Sequence, residues 1–262
     1  MDLNGKVALV TGASRGIGRA VAAALARAGA DIACAARATD AAPLRLPGTI
    51  DDAVRQVEAC GRRGLAVPTN LAVEREVEEM VRRTHAYFGR LDILVNNAAI
   101  SFPGDLSIEK KRYDVMMDVN LRAPFLATRA VAPHMRAQGG GIVLNISSAA
   151  ALYPLPGLMI YGMTKAALER MSVDAAQQLA SDCIAVNTFR IDVPVASEGF
   201  LETLPDADPS ICEPVEVAAD AILWMLRQPA GYTGRTVGME ALCREQRLSQ
   251  RAAARPFASA AS

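Results

Sequence analysis

The sequence predicts an α/β fold: a single doubly wound domain whose parallel sheet is covered by helices on both faces. Three observations carry this. Short apolar runs of buried-strand type alternate along the chain with longer runs of helical period. A glycine-rich turn joins the first such strand to the first helix, as a phosphate-binding βα unit requires. No linker or internal repeat divides the chain, and 262 residues at 51% hydrophobic content are enough for one large core.

Lys6-Val-Ala-Leu-Val-Thr11 reads as the first strand. Gly12-Ala-Ser-Arg-Gly16-Ile-Gly18 follows it, and Arg19 to Ala28 reads as a helix closed by Gly29. Glycines here let the backbone turn tightly and approach a diphosphate, while the helix start offers unpaired N–H groups and the positive end of the helix dipole. The spacing is Gly-x-x-x-Gly-x-Gly, not the commoner Gly-x-Gly-x-x-Gly. Asp31 to Ala36 is the second strand, with Arg37 at its end. In a dinucleotide site a carboxylate at this point grips the free 2′-hydroxyl of NAD, whereas an arginine meets the 2′-phosphate of NADP. The nearest downstream carboxylate is Asp40, and Arg15 brings a second guanidinium from the glycine loop. A solvated surface charge is the competing reading for each arginine.

Ala38 to Gly48 is a long loop, Thr49 to Cys60 an amphipathic helix, and Leu65 to Thr69 a third strand closing on Asn70-Leu71. Glu74 to Phe88 is a charged helix, and Leu91 to Val95 a fourth strand. Asn96-Asn97-Ala98-Ala99 comes next, where small residues after two amides permit close approach to a ligand or form an ordinary turn. Lys110 to Met135 is one or two helices, interrupted near Asn120 and Pro124, where freed carbonyls could hold water. Gly141 to Ser148 is the fifth strand, Tyr161 to Ala180 a helix, and Cys183 to Phe189 the sixth strand. The irregular stretch Ile191 to Glu213 is the candidate lid. A helix from Glu213 to Gln228 and a short strand from Thr233 to Gly238 complete the domain. The domain is expected to span residues 1–243, with 244–262 a frayed tail.

Composition excludes several functions. Lys+Arg 28 against Asp+Glu 28 leaves no basic stripe for nucleic acid. The odd number of cysteines (Cys34, Cys60, Cys183, Cys212, Cys243), without a Cys-x-x-Cys, argues against a disulfide framework and a zinc site. Two histidines, His85 and His134, are too few for a histidine-rich metal centre. With neither a signal-peptide pattern nor an apolar run of membrane length, a cytoplasmic protein without metal or membrane partner is expected.

The chemistry concentrates in Ser148, Tyr161 and Lys165. Residues four apart share a helix face, so Lys165 can stand beside the Tyr161 phenol. A phenol with its ordinary pKa of about 10 is a poor proton carrier near neutrality, and a neighbouring cation is expected to lower it. Ser148, at a strand end, can donate to a developing oxyanion. Taken alone, a Tyr-x-x-x-Lys pair is usually a solvated helix face with a packed ring.

Together these residues resemble the short-chain dehydrogenase/reductase family over residues 3 to 240. Thr11-Gly-Ala-Ser-Arg-Gly-Ile-Gly18 is similar to that family's nucleotide loop, and Asn96-Asn97-Ala98-Ala99 to its Asn-Asn-Ala-Gly motif with alanine last. Asn120, Ser148, Tyr161 and Lys165 follow the order and spacing of its catalytic tetrad (161 − 148 = 13). Arg37 to Ile50, with Pro-Gly-Thr-Ile, further resembles the hydroxysteroid-dehydrogenase-like branch. The resemblance implies a Rossmann-like seven-stranded parallel sheet, a nicotinamide cofactor and a homo-oligomer, tetramer or dimer. It implies that Gly12, Ser14, Arg15, Gly16, Ile17 and Gly18 hold the diphosphate. Arg37, Asn70, Leu71, Asn97 and Ala98 would line the adenosine side, and Tyr161, Lys165, Ile191 and Val193 the nicotinamide side. NADP(H) is expected over NAD(H).

The activity implied is interconversion of a carbonyl and a secondary alcohol on a small, apolar substrate. Ser148 would bond the carbonyl oxygen, Tyr161 would act as general acid/base, Lys165 would tune Tyr161 and bind ribose hydroxyls, and Asn120 would hold a water. The chain departs from the family pattern where Ile191-Asp192 replaces Pro-Gly, where Ala196 stands for the usual threonine, and where Asn70 replaces aspartate. Asp192 is expected to face the lid and select who enters, or else to be a solvated loop charge. A rival function is a nucleotide-binding regulatory or scaffold protein of the same fold with little turnover.

Overall fold

The structure is a computed structural model and describes residues 1–203 and 208–249. Its sheet is made of β1 (Val7–Thr11), β2 (Asp31–Ala36), β3 (Gly64–Pro68), β4 (Ile93–Asn96), β5 (Gly141–Ser148), β6 (Ile184–Ile191) and β7 (Thr236–Gly238). All pair in parallel, in the order β3-β2-β1-β4-β5-β6-β7. The seven-stranded doubly wound sheet expected from the sequence is therefore the fold. Strand order reverses between β1 and β4, and ligands of such sheets sit in the crevice beyond the strand ends at that point.

Alternation along the strands divides the core in two. Ala8, Val10, Ile32, Cys34, Ile93 and Val95 face one layer of helices: α1 (Gly16–Arg27), α2 (Ile50–Ala59), α8 (Val215–Leu226) and α9 (Met239–Gln246). Val7, Leu9, Ala33, Ala35, Leu94 and Val143 face the other: α3 (Glu74–Phe88), α5 (Ala123–Ala137) and α6 (Met159–Leu179). Neighbouring residues pointing to opposite faces is the pleat of a strand, and burial on both faces explains why these runs are almost wholly apolar. His85 on α3 and His134 on α5 stack with ring centroids 4.1 Å apart, a packing contact between two helices.

The stretch from Lys110 to Ala137 is two helices, α4 (Lys110–Met117) and α5, joined by a π-helical turn at Asp118–Arg122. The expected break is there, but its form differs. The widened turn carries Asn120, and Pro124, which has no N–H to give, is the second residue of α5 directly after it.

The C-terminal side departs further from expectation. Ordered structure runs past residue 243: α9 buries Met239, Leu242 and Cys243, and Leu248 packs on the same core. Asp192 accounts for this. Gly238 precedes α9 without a side chain to cap it, and Asp192 Oδ1 accepts the Glu240 N–H at 2.9 Å. Asp192 thus caps a helix from another element and is not a solvated loop charge. Burial raises its pKa against that hydrogen bond. The tail expected over 250–262 lies outside the described residues. Among those described, no helix is long and apolar enough to cross a membrane.

Candidate active site

The glycine loop is braced from behind by the end of β4. Thr11 Oγ1 donates to the Val95 carbonyl at 3.3 Å and accepts the N–H groups of Asn97 and Ala98, both at 3.1 Å. Asn97 Nδ2 donates to the Thr11 carbonyl at 2.9 Å. The Asn97 amide is therefore spent on the loop's backbone, and Ala98 lies against it. Gly12 holds φ +68 and has Ala98 Cα only 2.9 Å from where a Cβ would be. A Cβ on Gly18 would collide with the Gly12 carbonyl and stand 2.5 Å from Asn97 Nδ2. Gly16 and Gly18 open α1, whose first turn has no side-chain cap and no acidic residue, while Ile17 packs toward the core and Ser14 is buried. This leaves backbone N–H groups and a positive dipole end facing the strand-end crevice.

At the end of β2, Arg37 is exposed. Arg15 lies near enough for the two guanidiniums to repel, and burial and Arg37 both lower the Arg15 pKa. Arg15 donates to the Pro47 carbonyl at 2.9 Å and the Leu46 carbonyl at 3.0 Å. It pins the 38–48 loop against the glycine loop, and Gly48 (φ +98) leaves no space for a side chain over the Ser14 carbonyl. The loop therefore lies against the glycine loop, and Asp40 is turned away, bonded to Thr49 at 2.6 Å and Arg55 at 2.8 Å. Among the described residues, no carboxylate pairs with Arg37. Asn70 uses Oδ1 on the Ala72 N–H at 3.2 Å, an Asx turn that leaves a lone pair, beside half-buried Leu71.

The structure brings Ser148, Tyr161 and Lys165 together. Ser148 ends β5 and caps the short 3-10 turn Ala149–Ala151. Its hydroxyl stands near enough to the Tyr161 phenol to lower the phenol's pKa. Lys165 is buried one turn along α6 with Nζ 5.5 Å from the Tyr161 ring centroid, and donates to the Ile146 carbonyl of β5 at 2.7 Å. Burial pushes the phenol up to about 12, partly offset by the Ser148 bond. Burial likewise takes Lys165 down to about 8, opposed by the charge of Glu169. Lys165, expected to lower the Tyr161 pKa, is not among the groups that shift it: burial raises the phenol and only Ser148 opposes. At neutral pH the phenol is a protonated donor.

Asn120, fully buried in the π turn, exchanges two bonds with the Ile100 backbone (Oδ1 to N–H 2.9 Å, Nδ2 to carbonyl 2.8 Å) and reaches Thr164 Oγ1 at 3.3 Å. Its amide links the β4 exit loop to α6, beside Lys165. Ile191 is half-buried at the end of β6. Val193 is buried in the core, so its backbone is what it can offer a ligand.

Sequence reasoning missed three participants. Thr11 ends β1, and the signal for its bracing role is a hydroxyl directly before a glycine loop. Ser197 and Glu198, at the start of α7 (Glu198–Thr203), stand 3.2 and 3.3 Å from where a Gly16 Cβ would be, and Glu198 pairs with Arg19 at 3.6 Å. Ser197, not Ala196, is therefore the small hydroxyl residue over the glycine loop.

Comparison with known proteins agrees with this geometry. The family model for short chain dehydrogenases matches residues 6–193. Hydroxysteroid dehydrogenase-like protein 2 of Danio rerio is 32% identical over 238 residues, 90% of this chain and 57% of the relative. The chain thus spans somewhat over half the length of that relative. A short chain dehydrogenase from Mycobacterium thermoresistibile superposes with TM-score 0.84 at 31% identity, covering 93% of this chain and 88% of the other. One from Burkholderia cenocepacia, solved in complex with NADP, gives 0.81 at 30% identity, covering 91% and 97%. With the parallel sheet, the glycine cradle and a family match over most of its length, the chain belongs to the short-chain dehydrogenase family of oxidoreductases.

Proposed function

We propose that the chain is an NADP(H)-dependent oxidoreductase that interconverts a carbonyl and a secondary alcohol, with Tyr161 as general acid/base. The observation that carries this is half-buried Tyr161 with buried Lys165 one turn along α6 and Ser148 at the adjoining strand end, next to the glycine cradle. The residues present fit a dinucleotide. Gly12 and Gly18 form a cradle that side chains would fill, and the α1 start is uncapped and free of acidic residues in its first turn. When bound, such a cofactor supplies or accepts the hydride.

The chain's own residues do the rest. The glycine loop holds the diphosphate, Arg37 the 2′-phosphate, and Asn70, Leu71 and Ala98 the adenosine side. The backbones of Ile191 and Val193 border the nicotinamide side, with Lys165 at the ribose. Ser148 donates to the carbonyl oxygen of the substrate. Tyr161, kept protonated by burial, gives its proton to the oxygen as charge develops. Lys165 supplies the nearby positive charge, and Asn120 fixes the loop and helix that flank it. Ile100, bonded to Asn120, and exposed Leu152, just after Ser148, support an apolar substrate. The exposed apolar residues Phe125 on α5 and Val173 on α6 support a homo-oligomer, dimer or tetramer. Free thiols at Cys34, Cys60, Cys183 and Cys243 support a reducing compartment such as the cytoplasm.

The test is a panel of ketones, aldehydes and secondary alcohols with NADPH, NADH and their oxidised forms, read by cofactor absorbance. Turnover of at least one carbonyl, faster with NADPH, is expected. Tight NADPH binding without turnover on any compound would favour the regulatory reading.

A further inference from the structure

Behind the tetrad lies a half-buried charge cluster that the proposed chemistry does not use. Glu169 follows Lys165 by four residues, so both project from one face of α6. Its carboxylate accepts Ser147 Oγ at 2.6 Å, from the residue before Ser148 on β5. It also takes both arms of Arg190 on β6, Nε at 2.8 Å and a terminal nitrogen at 2.6 Å. Ser147 and Arg190 are register partners across β5 and β6, so one carboxylate fastens the helix to two adjacent strands. The ion-paired side chains are 14% and 16% exposed, so solvent screens them weakly.

We propose that Glu169 is a positioning residue for the active site: it fastens the Lys165 turn of α6 to β5 and β6, and its charge, one turn away, keeps Lys165 protonated. This rests on the reading that Lys165 serves Tyr161 in proton transfer. The charged and titratable groups at this corner are Tyr161, Lys165 and Glu169 on α6, Arg190 on β6, Asp192 just beyond it, and Tyr153 after β5. From β5 come the neutral Ser147 and Ser148, and from the π turn Asn120 together with Asp118 and Arg122, which pair with each other at 2.7 Å. Burial drives the Lys165 amine toward its uncharged form, and Glu169 is the anion that opposes it. Arg190 in turn draws on the same carboxylate.

Removing either member breaks the same ion pair, but the two changes act on Lys165 in opposite directions. The chain has four lysines, Lys6, Lys110, Lys111 and Lys165, so isotope-labelled lysine amines can be titrated individually by NMR. In Glu169→Gln the Lys165 amine is expected to titrate about one pH unit below wild type. In Arg190→Gln, where the carboxylate loses its counter-ion, it is expected to titrate above wild type. The alkaline limb of the activity profile should move the same way in each. A purely structural ion pair would lower the melting temperature in both without opposed titrations. An unchanged Lys165 titration in Glu169→Gln, or shifts of one sign in both variants, overturns the proposal. If Glu169→Gln does not fold, Arg190→Gln decides alone: an upward shift supports the proposal and any other result overturns it. The amine titration needs neither substrate nor cofactor, so it is scored separately from the proposed turnover, which Tyr161→Phe tests.

Discussion

Gly18 carries a constraint that side-chain chemistry alone would not suggest. It sits where α1 begins, and its Cα faces the Gly12 carbonyl and the Asn97 amide so closely that a methyl group cannot enter. The obstructing carbonyl is backbone, so the glycine loop itself must move. Gly18→Ala is therefore expected to weaken dinucleotide binding by tenfold or more and to lower stability by about 1–3 kcal/mol, the usual cost of overpacking. Fluorescence titration and thermal melting check this, and wild-type affinity would count against the cradle. Arg37 is the opposite case, an exposed charge whose value depends on a ligand. One charge-assisted hydrogen bond to a 2′-phosphate corresponds to roughly a tenfold to hundredfold preference. Arg37→Ala should lose that preference for NADPH over NADH with NADH affinity nearly unchanged, and added salt should erode it in the wild type. Equal loss of both cofactors would mean that Arg37 supports the loop and not the phosphate.

At the scale of elements, α4 and α5 are one helical path widened by a π turn, and Asn120 stitches that turn to the β4 exit loop and to α6. Asn120→Ala leaves the part-buried Ile100 N–H and carbonyl without their partner, which should cost about 1–3 kcal/mol. Because these bonds border Lys165, turnover should fall along with the melting temperature. A variant with reduced activity and unchanged stability would assign Asn120 to chemistry alone. The strands were legible because both faces of this sheet are buried, which leaves unbroken apolar runs such as Val7 to Val10 between turn residues. Tyr161 and Lys165 were legible because a four-residue spacing fixes a shared helix face. The α9 helix was not, since its first turn is capped by Asp192 from 48 residues away and its core face rests on Met239, Leu242 and Cys243. The pKa of Tyr161 was not legible either. A pattern shows which cation is adjacent but not how deeply both groups are buried, and here burial decides.

For the molecule as a whole, acid stability turns on carboxylates that join elements at the sheet's far end. Asp92, before β4, takes the Val7 N–H at 2.9 Å and both arms of Arg90 at 2.6 and 2.7 Å, with Lys6 at 3.3 Å. Burial raises its pKa, yet these partners outweigh it and leave it below the ordinary carboxylate value. A depressed folded-state pKa contributes stability above the unfolded value of about 3.9, lost as pH falls through the folded value. Melting temperature should therefore hold down to about pH 5 and fall below about pH 4, and Asp92→Asn should flatten that fall while lowering stability at neutral pH. An acid limb unchanged in Asp92→Asn would place the sensitivity elsewhere. The account as a whole stands on one proton carrier beside a nucleotide cradle, and Tyr161→Phe isolates it, removing the phenolic proton while leaving the ring and its burial. The decisive measurement is the rate of carbonyl-dependent NADPH oxidation by wild type and Tyr161→Phe, with NADPH affinity measured on the same samples. The account predicts a loss of about 10²–10⁴-fold in turnover with affinity nearly intact; wild-type turnover in Tyr161→Phe would contradict it.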